Sequence, residues 1–376
     1  MPSVFFYISG HGFGHASREI EVINVLGPRI PGFEIVVRSS VPRWLFDRTI
    51  RRPFTLIEGP CDTGVVQIDS LRLDAGETIR RAAEFYGDLP RIVAREAALL
   101  RAHDAALVVT DAAPAACPAA GAAGVRSVVL TNFTWDWIYE GHPEALASAP
   151  GLLPAIRDAY RQATEAWRMP LCGGFETFDR PIDVPFIARH AAHERPEVRR
   201  SLGLPPHAPL ALFSFSGYGV HGFDPRRLDC LEQWGVVMTG RTRPEALPDG
   251  VAFIEEGAIY DAGLRYEDLV AAVDVVVTKP GFGLVAECLA NDTAMLYTSR
   301  GRFAEYDVMV AEMPRFLRCE FVDVEALVAG RWRDALDRLM QRPAPPDHPR
   351  TDGADVVADM ICERIRGLAE RLKLEG

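Results

Sequence analysis

Twice in this chain a short, mostly apolar run breaks into glycines at the point where a new series of strands and helices begins. The first run is residues 4–9, which ends in Gly10-His11-Gly12-Phe13-Gly14 and gives way to helical spacing over residues 16–26. The second is residues 210–214, followed by Ser216-Gly217-Tyr218-Gly219. Between them, residues 34–38, 56–58, 106–110 and 127–131 read as strands. Residues 75–103 read as one or two helices, and 135–139 and 153–167 as further helices. Beyond the second run, 235–239, 251–254, 273–278 and 294–297 read as strands, with 266–272 and 284–289 helical. Continuous apolar strands that alternate with helices imply parallel sheets buried on both faces. The 376 residues exceed the roughly 250–300 at which a single core stops growing. The expectation is two doubly wound α/β domains. The first covers residues 1–190 and is joined by the C-terminal helix 354–376; the second covers 191–353.

Composition narrows the partners. Fifty-two Asp and Glu stand against 41 Lys and Arg, a formal net charge of −11. Nucleic acid and anionic membrane both call for clustered cations, so neither is expected. The seven cysteines are scattered and form no C-x-x-C pair, which argues against a zinc site or a disulfide framework. No basic n-region or long apolar run marks a leader or a transmembrane helix. A cytoplasmic protein is expected. Only two of the 41 basic residues are lysines, Lys279 and Lys373.

Three places could carry chemistry. Glycines between the first strand and its helix allow a tight turn and close approach of a ligand, and a helix N-terminus attracts anions. The spacing is not G-x-G-x-x-G, and Val37-Arg38-Ser39 stands where a dinucleotide site places its ribose-binding acid, so a nicotinamide enzyme is not expected. His11 and His15 face substrate there, or else cap and pack; Gly12, Phe13 and Gly14 lie between them. Asp111 ends a strand of the same sheet. It either orients a histidine, raising the basicity of the other ring nitrogen, or caps the following helix. Asn132, Trp135 and Asp136 follow the next strand at the same edge, where Trp135 serves as core or as a sugar platform.

In the second half, Thr278-Lys279-Pro280-Gly281-Phe282-Gly283 precedes a helix whose first turn can hold a diphosphate. Glu287, one turn inside, can accept ribose hydroxyls or can be a solvated helix position. Lys279 reaches phosphate or pairs with Asp274 or Glu287. The Ser214–Gly219 turn, with Ser216 and Gly217, offers another anion site. Gly301-Arg302-Phe303-Ala304-Glu305-Tyr306-Asp307 reads as a charged loop.

Taken together, His-Gly-Phe-Gly-His-Ala-x-Arg, the Asp111 strand end, Thr131-Asn132-Phe133-Thr134-Trp135-Asp136 and Lys279-Pro280-Gly281-Phe282-Gly283 through Glu287 resemble the glycosyltransferase-like N-terminal region of plant L-arabinokinases. That region is in turn similar to GT-B glycosyltransferases of the lipid-II-forming N-acetylglucosaminyltransferase type. The resemblance implies a GT-B fold, two Rossmann-like domains facing an interdomain cleft. It implies a donor nucleotide sugar, with uridine as the base, on the C-terminal domain and an acceptor on the N-terminal one. His15 becomes the base, supported by Asp111. Glu287 binds the donor ribose, and Glu305 and Asp307 contact the donor sugar. The bacterial enzymes carry Gln-Gln in that last loop, so the acidic pair here is a departure. No sugar-kinase phosphate loop follows Glu305, and arabinose phosphorylation is not implied.

The resulting expectation is a metal-independent, inverting transfer of a sugar to a hydroxyl of a small soluble acceptor. The nucleotide sugar is a co-substrate, with no other cofactor. The competing readings are a nucleotide-sugar epimerase or hydrolase using Glu305 and Asp307, and a non-catalytic nucleotide-sugar sensor or sugar-kinase partner.

Overall fold

The computed structural model describes residues 1–215, 219–231 and 233–375, the side chains of 229, 230 and 367–375 excepted. Ser216 and Gly217, expected to line an anion site, lie outside the described residues, as does the Lys373 side chain. The chain forms two compact units. One comprises Met1–Val66, Asp74–Ala188 and Arg350–Gly376; the other comprises Gln67–Leu73 and Arg189–Pro349.

The first unit is built on β1 (Ser3–Ile8), β2 (Glu34–Ser39) and β3 (Thr55–Glu58). A short ribbon follows, β4 (Val66–Gln67) and β5 (Leu73–Asp74), where the chain leaves this unit and returns. Then come β6 (Ala105–Asp111), β7 (Arg126–Phe133), β8 (Glu165–Gly173) and β9 (Ile182–Asp183). Seven of these make one sheet in the order β3-β2-β1-β6-β7-β8-β9, parallel throughout. Every residue of β1 is buried, as the unbroken apolar run requires of a central strand. Ile8 pairs with Ser39 on one side and Asp111 on the other, so the ends of β1, β2 and β6 share one carboxyl edge. The closing helix Gly353–Glu375 packs on the helix Phe13–Leu26 and buries Val357, Ala358 and Ile361.

The second unit holds β10 (Leu210–Ser214), β11 (Gly235–Gly240), β12 (Val251–Glu255), β13 (Val275–Thr278), β14 (Ala294–Tyr297) and β15 (Cys319–Phe321). Their order, β12-β11-β10-β13-β14-β15, is again wholly parallel. Its core joins Phe213, Phe215, Val277 and Leu296 to Trp332 and Leu336, and includes Leu71 from the Gln67–Leu73 excursion. Among the described residues no helix is long and apolar enough to cross a membrane.

Three expectations change, and one open choice is settled. The first helix begins at Phe13, not at residue 16, because its N-cap Gly12 takes φ 85°, a left-handed backbone open to glycine at no steric cost. Gly14 and His15 therefore lie in its first turn. Residues 75–103 are two helices, Ala75–Gly87 and Leu89–Ala102, divided at Asp88 with Pro90 in the opening turn of the second. The helix expected over 153–167 stops at Tyr160; Glu165–Gly173 is strand β8, in which Trp167, Met169 and Leu171 alternate inward. The charged loop expected over 301–307 is helical from Ala304 onward.

Candidate functional site

At the carboxyl edge of the first sheet, His15, Arg18 and Asp111 form a buried cluster. His15 Nδ1 lies 2.8 Å from Asp111 Oδ2. The Asp111 carboxyl is fully buried, which alone would raise its pKa, yet Arg18 and His15 outweigh burial and hold it down to about 2. An ionised carboxylate has no proton to give, so the short contact requires Nδ1–H to donate to Asp111. Nε2 is then the basic nitrogen. His15 retains 8% of its surface. Arg18 donates from Nε to Asp111 Oδ2 at 3.1 Å, from Nη2 to Asp111 Oδ1, and from Nη1 to Asn132 Oδ1 at 2.7 Å. Its Nη2 also lies 3.0 Å from His15 Nδ1, a close approach rather than a bond if that nitrogen already carries a proton. Asp111 caps no helix: the next one starts at Ala116, and the chain turns through Ala112 at φ 61°. That left-handed alanine costs about 1–2 kcal/mol and is stapled by Tyr160 Oη–H donating to its carbonyl at 2.7 Å.

The cluster continues into a carboxylate that the sequence reading passed over. Asp62 accepts from Ser9 Oγ at 3.1 Å and from Trp135 Nε1 at 3.0 Å. Burial first of all raises its pKa to about 6, against these hydrogen bonds and the nearby His15. Ser9 Oγ accepts in turn from the His11 N–H at 3.2 Å, so Asp62 ties down the glycine loop. His11 is packed against Gly64, where an added Cβ would stand 2.8 Å from the His11 Cβ and where φ is +59°. Gly12, Phe13 and Gly14 are exposed. Trp135 is fully buried, with its ring stacked on Tyr139 at 5.7 Å, and reaches the cluster through its indole N–H. Asp136 is also buried and pairs with Arg157 at 2.9 Å. Glu19 is wholly buried with neither oxygen hydrogen-bonded among the described residues. Burial and then Asp111 push its pKa far up, so it carries its proton.

In the second unit, Thr278 Oγ donates to the Ser214 carbonyl at 2.6 Å, joining the carboxyl ends of β13 and β10. The helix Phe282–Ala290 starts there from Gly281. Its first bond is Val285 N–H to Gly281 O at 3.0 Å; no side chain caps it, and Gly283 lies in its first turn. Lys279 is half-buried at its approach and pairs with neither Asp274, which binds Arg195 and Arg199, nor Glu287, which binds Arg189. Burial, then Arg300, lower the Lys279 pKa to about 7 against the opposing pull of Glu305 and Asp69. Arg189 Nε donates to Glu287 Oε1 at 2.8 Å, so Glu287 is buried and paired, not solvated. Glu305 is buried against Arg300 at 3.3 Å, whereas Asp307 is exposed. The excursion closes over this end: Ser70 donates from Oγ to the Phe215 carbonyl and from N–H to the Gly219 carbonyl at 3.0 Å.

Of the sequence-derived candidates, the structure brings His15, Asp111 and Asn132 into one hydrogen-bonded cluster, with His11 and Trp135 attached through Ser9 and Asp62. Arg18 was legible in principle, since positions 15 and 18 share a helix face. Asp62 lies 53 residues from Ser9 with no local pattern to mark it.

No family model matches this chain. It is 28% identical over 367 residues to the L-arabinokinase of Arabidopsis thaliana, covering 96% of this chain and 34% of that protein. The chain thus spans about a third of the length of this curated relative. The calicheamicin glycosyltransferase CalG4 superposes with a TM-score of 0.62 at 15% identity, covering 98% of each chain. The glycosyltransferase of kitacinnamycin gives 0.59 at 16% identity, over 100% of this chain and 95% of that one. UGT2 of Phytolacca americana, solved with UDP-2fluoro-glucose and pterostilbene, gives 0.59 at 12% identity over 98% and 94%. The two parallel sheets with their flanking helices have the fold of the GT-B glycosyltransferases.

Proposed function

We propose that this protein transfers a sugar from a uridine diphosphate sugar to a hydroxyl of a small soluble acceptor, with inversion at the anomeric carbon and without a metal. The observation that carries the reading is the 2.8 Å contact of His15 Nδ1 with an ionised, buried Asp111, which leaves Nε2 as a base at the carboxyl edge of the first sheet. His15 takes the acceptor proton while the acceptor oxygen attacks the anomeric carbon and the nucleoside diphosphate departs. The second unit offers the leaving group an uncapped helix N-terminus at Gly281–Gly283 and the Lys279 ammonium. Glu287, once released from Arg189, is the residue proposed for the ribose, with Glu305 and Asp307 toward the donor sugar. The exposed Gly12-Phe13-Gly14 turn, with His11, faces the acceptor. Support for the donor class comes from the fold and from the neighbour solved with a UDP sugar.

The test begins with thermal shift against nucleoside diphosphates and nucleotide sugars on phosphate-free protein. Stabilisation by uridine compounds is expected, and none by any nucleotide at saturation defeats the donor site. His15→Ala is then expected to keep nucleotide affinity and lose about 10²–10⁴-fold in turnover, the usual worth of a general base. The match to one part of a longer kinase favours a second reading, a non-catalytic partner of a sugar kinase. That protein would bind nucleotide sugar tightly and turn over none.

A further inference from the structure

We infer that Asp62 supplies the negative charge that offsets the imidazolium formed when His15 takes a proton, acting beside the His15–Asp111 contact as a positioning residue for the base. The inference deepens the transfer reading and rests on it for its role in turnover, though not for its electrostatics. It starts from a count of charge. Asp111 holds the imidazole by a hydrogen bond, but its charge is already matched by the Arg18 guanidinium, which donates to both of its oxygens. Arg18 and Asp111 together are neutral, so an imidazolium formed next to them would be a buried cation without a counter-charge.

The other groups around it do not supply one. Glu19, on the same helix, keeps its proton, and His11 on the loop is a neutral or positive group. Within reach of the Asp62 charge, Cys61 and the hydroxyls of Tyr86, Tyr139 and Tyr160 are all held protonated by burial first of all. Arg38 is paired with Glu96 at 3.1 Å, an acid that it shares with the mostly exposed Arg95 at 2.9 Å. Asp62 is the exception. It is 6% exposed, accepts only from the neutral Ser9 hydroxyl and Trp135 indole, and pairs with no Arg or Lys among the described residues. It lies within electrostatic reach of His15, and Trp135, which donates to Asp62 at 3.0 Å, has its ring 6.5 Å from the His15 ring.

In the step itself, the acceptor O–H bond breaks, its proton ends on His15 Nε2, and the oxygen's electron pair forms the bond to the anomeric carbon as the bond to the diphosphate breaks. Asp62 takes no proton. Its charge lowers the cost of the imidazolium, and its two hydrogen bonds fix the loop and the indole that border it.

Asp62→Asn separates these duties. An asparagine can accept from Trp135 through its oxygen and donate to the Ser9 hydroxyl, which accepts equally well, so both hydrogen bonds survive while the charge is lost. The measurement is the titration of His15, followed by the carbon signal of labelled imidazole and assigned with His15→Gln. Asp62→Asn is expected to lower the His15 midpoint by about one pH unit, while Ser9→Ala, which removes one hydrogen bond but leaves the carboxyl in place, lowers it by less. In turnover, the acid limb of kcat in Asp62→Asn moves to lower pH and the plateau falls about tenfold with KM unchanged. An unmoved His15 midpoint in folded Asp62→Asn overturns the inference and leaves Asp62 a staple. If the variant does not fold, the unmodified protein decides: coupling to Asp62 gives the His15 signal a second inflection, and a single step overturns it. A lowered midpoint in a protein with no transferase activity keeps the inference and defeats the transfer reading alone.

Discussion

Glu19 is the most exacting residue in the first unit, a carboxyl with no exposed surface and no hydrogen bond among the described residues. Its folded pKa lies well above the usual 4.5, so the protonated form is the one that fits. The stability it contributes is full below the unfolded value and is lost as pH rises through the folded one. A glutamine has no proton to lose. Glu19→Gln should therefore gain on the unmodified protein as pH climbs from 5 to 9, read from denaturant melts at each pH; a constant difference would show that Glu19 is ionised when folded. Lys279 poses the complementary case in the second unit, an ammonium whose pKa burial has brought down to about 7. A bound diphosphate restores it, so binding of a nucleotide sugar at pH 8 should draw a proton from solution, and affinity should weaken as pH rises above 7. Calorimetry in two buffers of different ionisation enthalpy measures that uptake. Lys279→Met should abolish it, and equal heats in both buffers for the unmodified protein would place Lys279 away from the phosphates. A nucleotide sugar suits this better than a free diphosphate, whose terminal phosphate itself titrates near neutrality.

At the scale of elements, the clearest economy is the Gln67–Leu73 excursion, seven residues of the first half of the chain that complete the core of the second unit. Leu71 packs with Phe213, Phe215 and Leu296, and Ser70 holds the end of β10. Leu71→Ala should cost about 2–5 kcal/mol, as buried leucines generally do. The loss should fall on the second unit, seen as reduced amide protection over β10 and β13 with β1 and β6 unchanged; equal loss in both sheets would contradict the assignment. Nothing in the sequence marks Leu71 for that role, because a seven-residue stretch carries no period and its partners lie over 140 positions away. The central strands were legible for the opposite reason. Residues 4–8, 107–110 and 275–278 are buried on both faces, and burial on both faces leaves an unbroken apolar run. Strand β8 escaped detection because its helix-like neighbour Leu152–Tyr160 runs toward it with the same apolar density, and only Trp167, Met169 and Leu171 in alternation betray it. The site divides in the same way. His15, in the first turn of the helix after β1, and Asp111, at the end of β6, are put at one edge by topology alone, whereas Asp62 and Arg189 have partners that only the folded chain brings near.

At the scale of the whole molecule, the first unit is written in pieces around the second. The helix that carries His15 and Arg18 packs against Gly353–Glu375, and Arg29 binds Asp355 and Asp359 of that closing helix. A chain ended after Asp352 should keep amide protection over β10 and β13 and lose it over Phe13–Leu26, measured by hydrogen exchange; protection retained on Phe13–Leu26 would show that the closing helix is dispensable. This layout also sets an order of events on the ribosome. The second unit needs only residues up to Pro349, and its one borrowed piece, Gln67–Leu73, has been made long before. The first unit has its sheet early but must wait for Gly353–Glu375 to cover the helix beside it. During synthesis the second unit can thus be complete before the helix that carries His15 is covered, so the residue proposed as the base is locked in place after the unit proposed to hold the nucleotide.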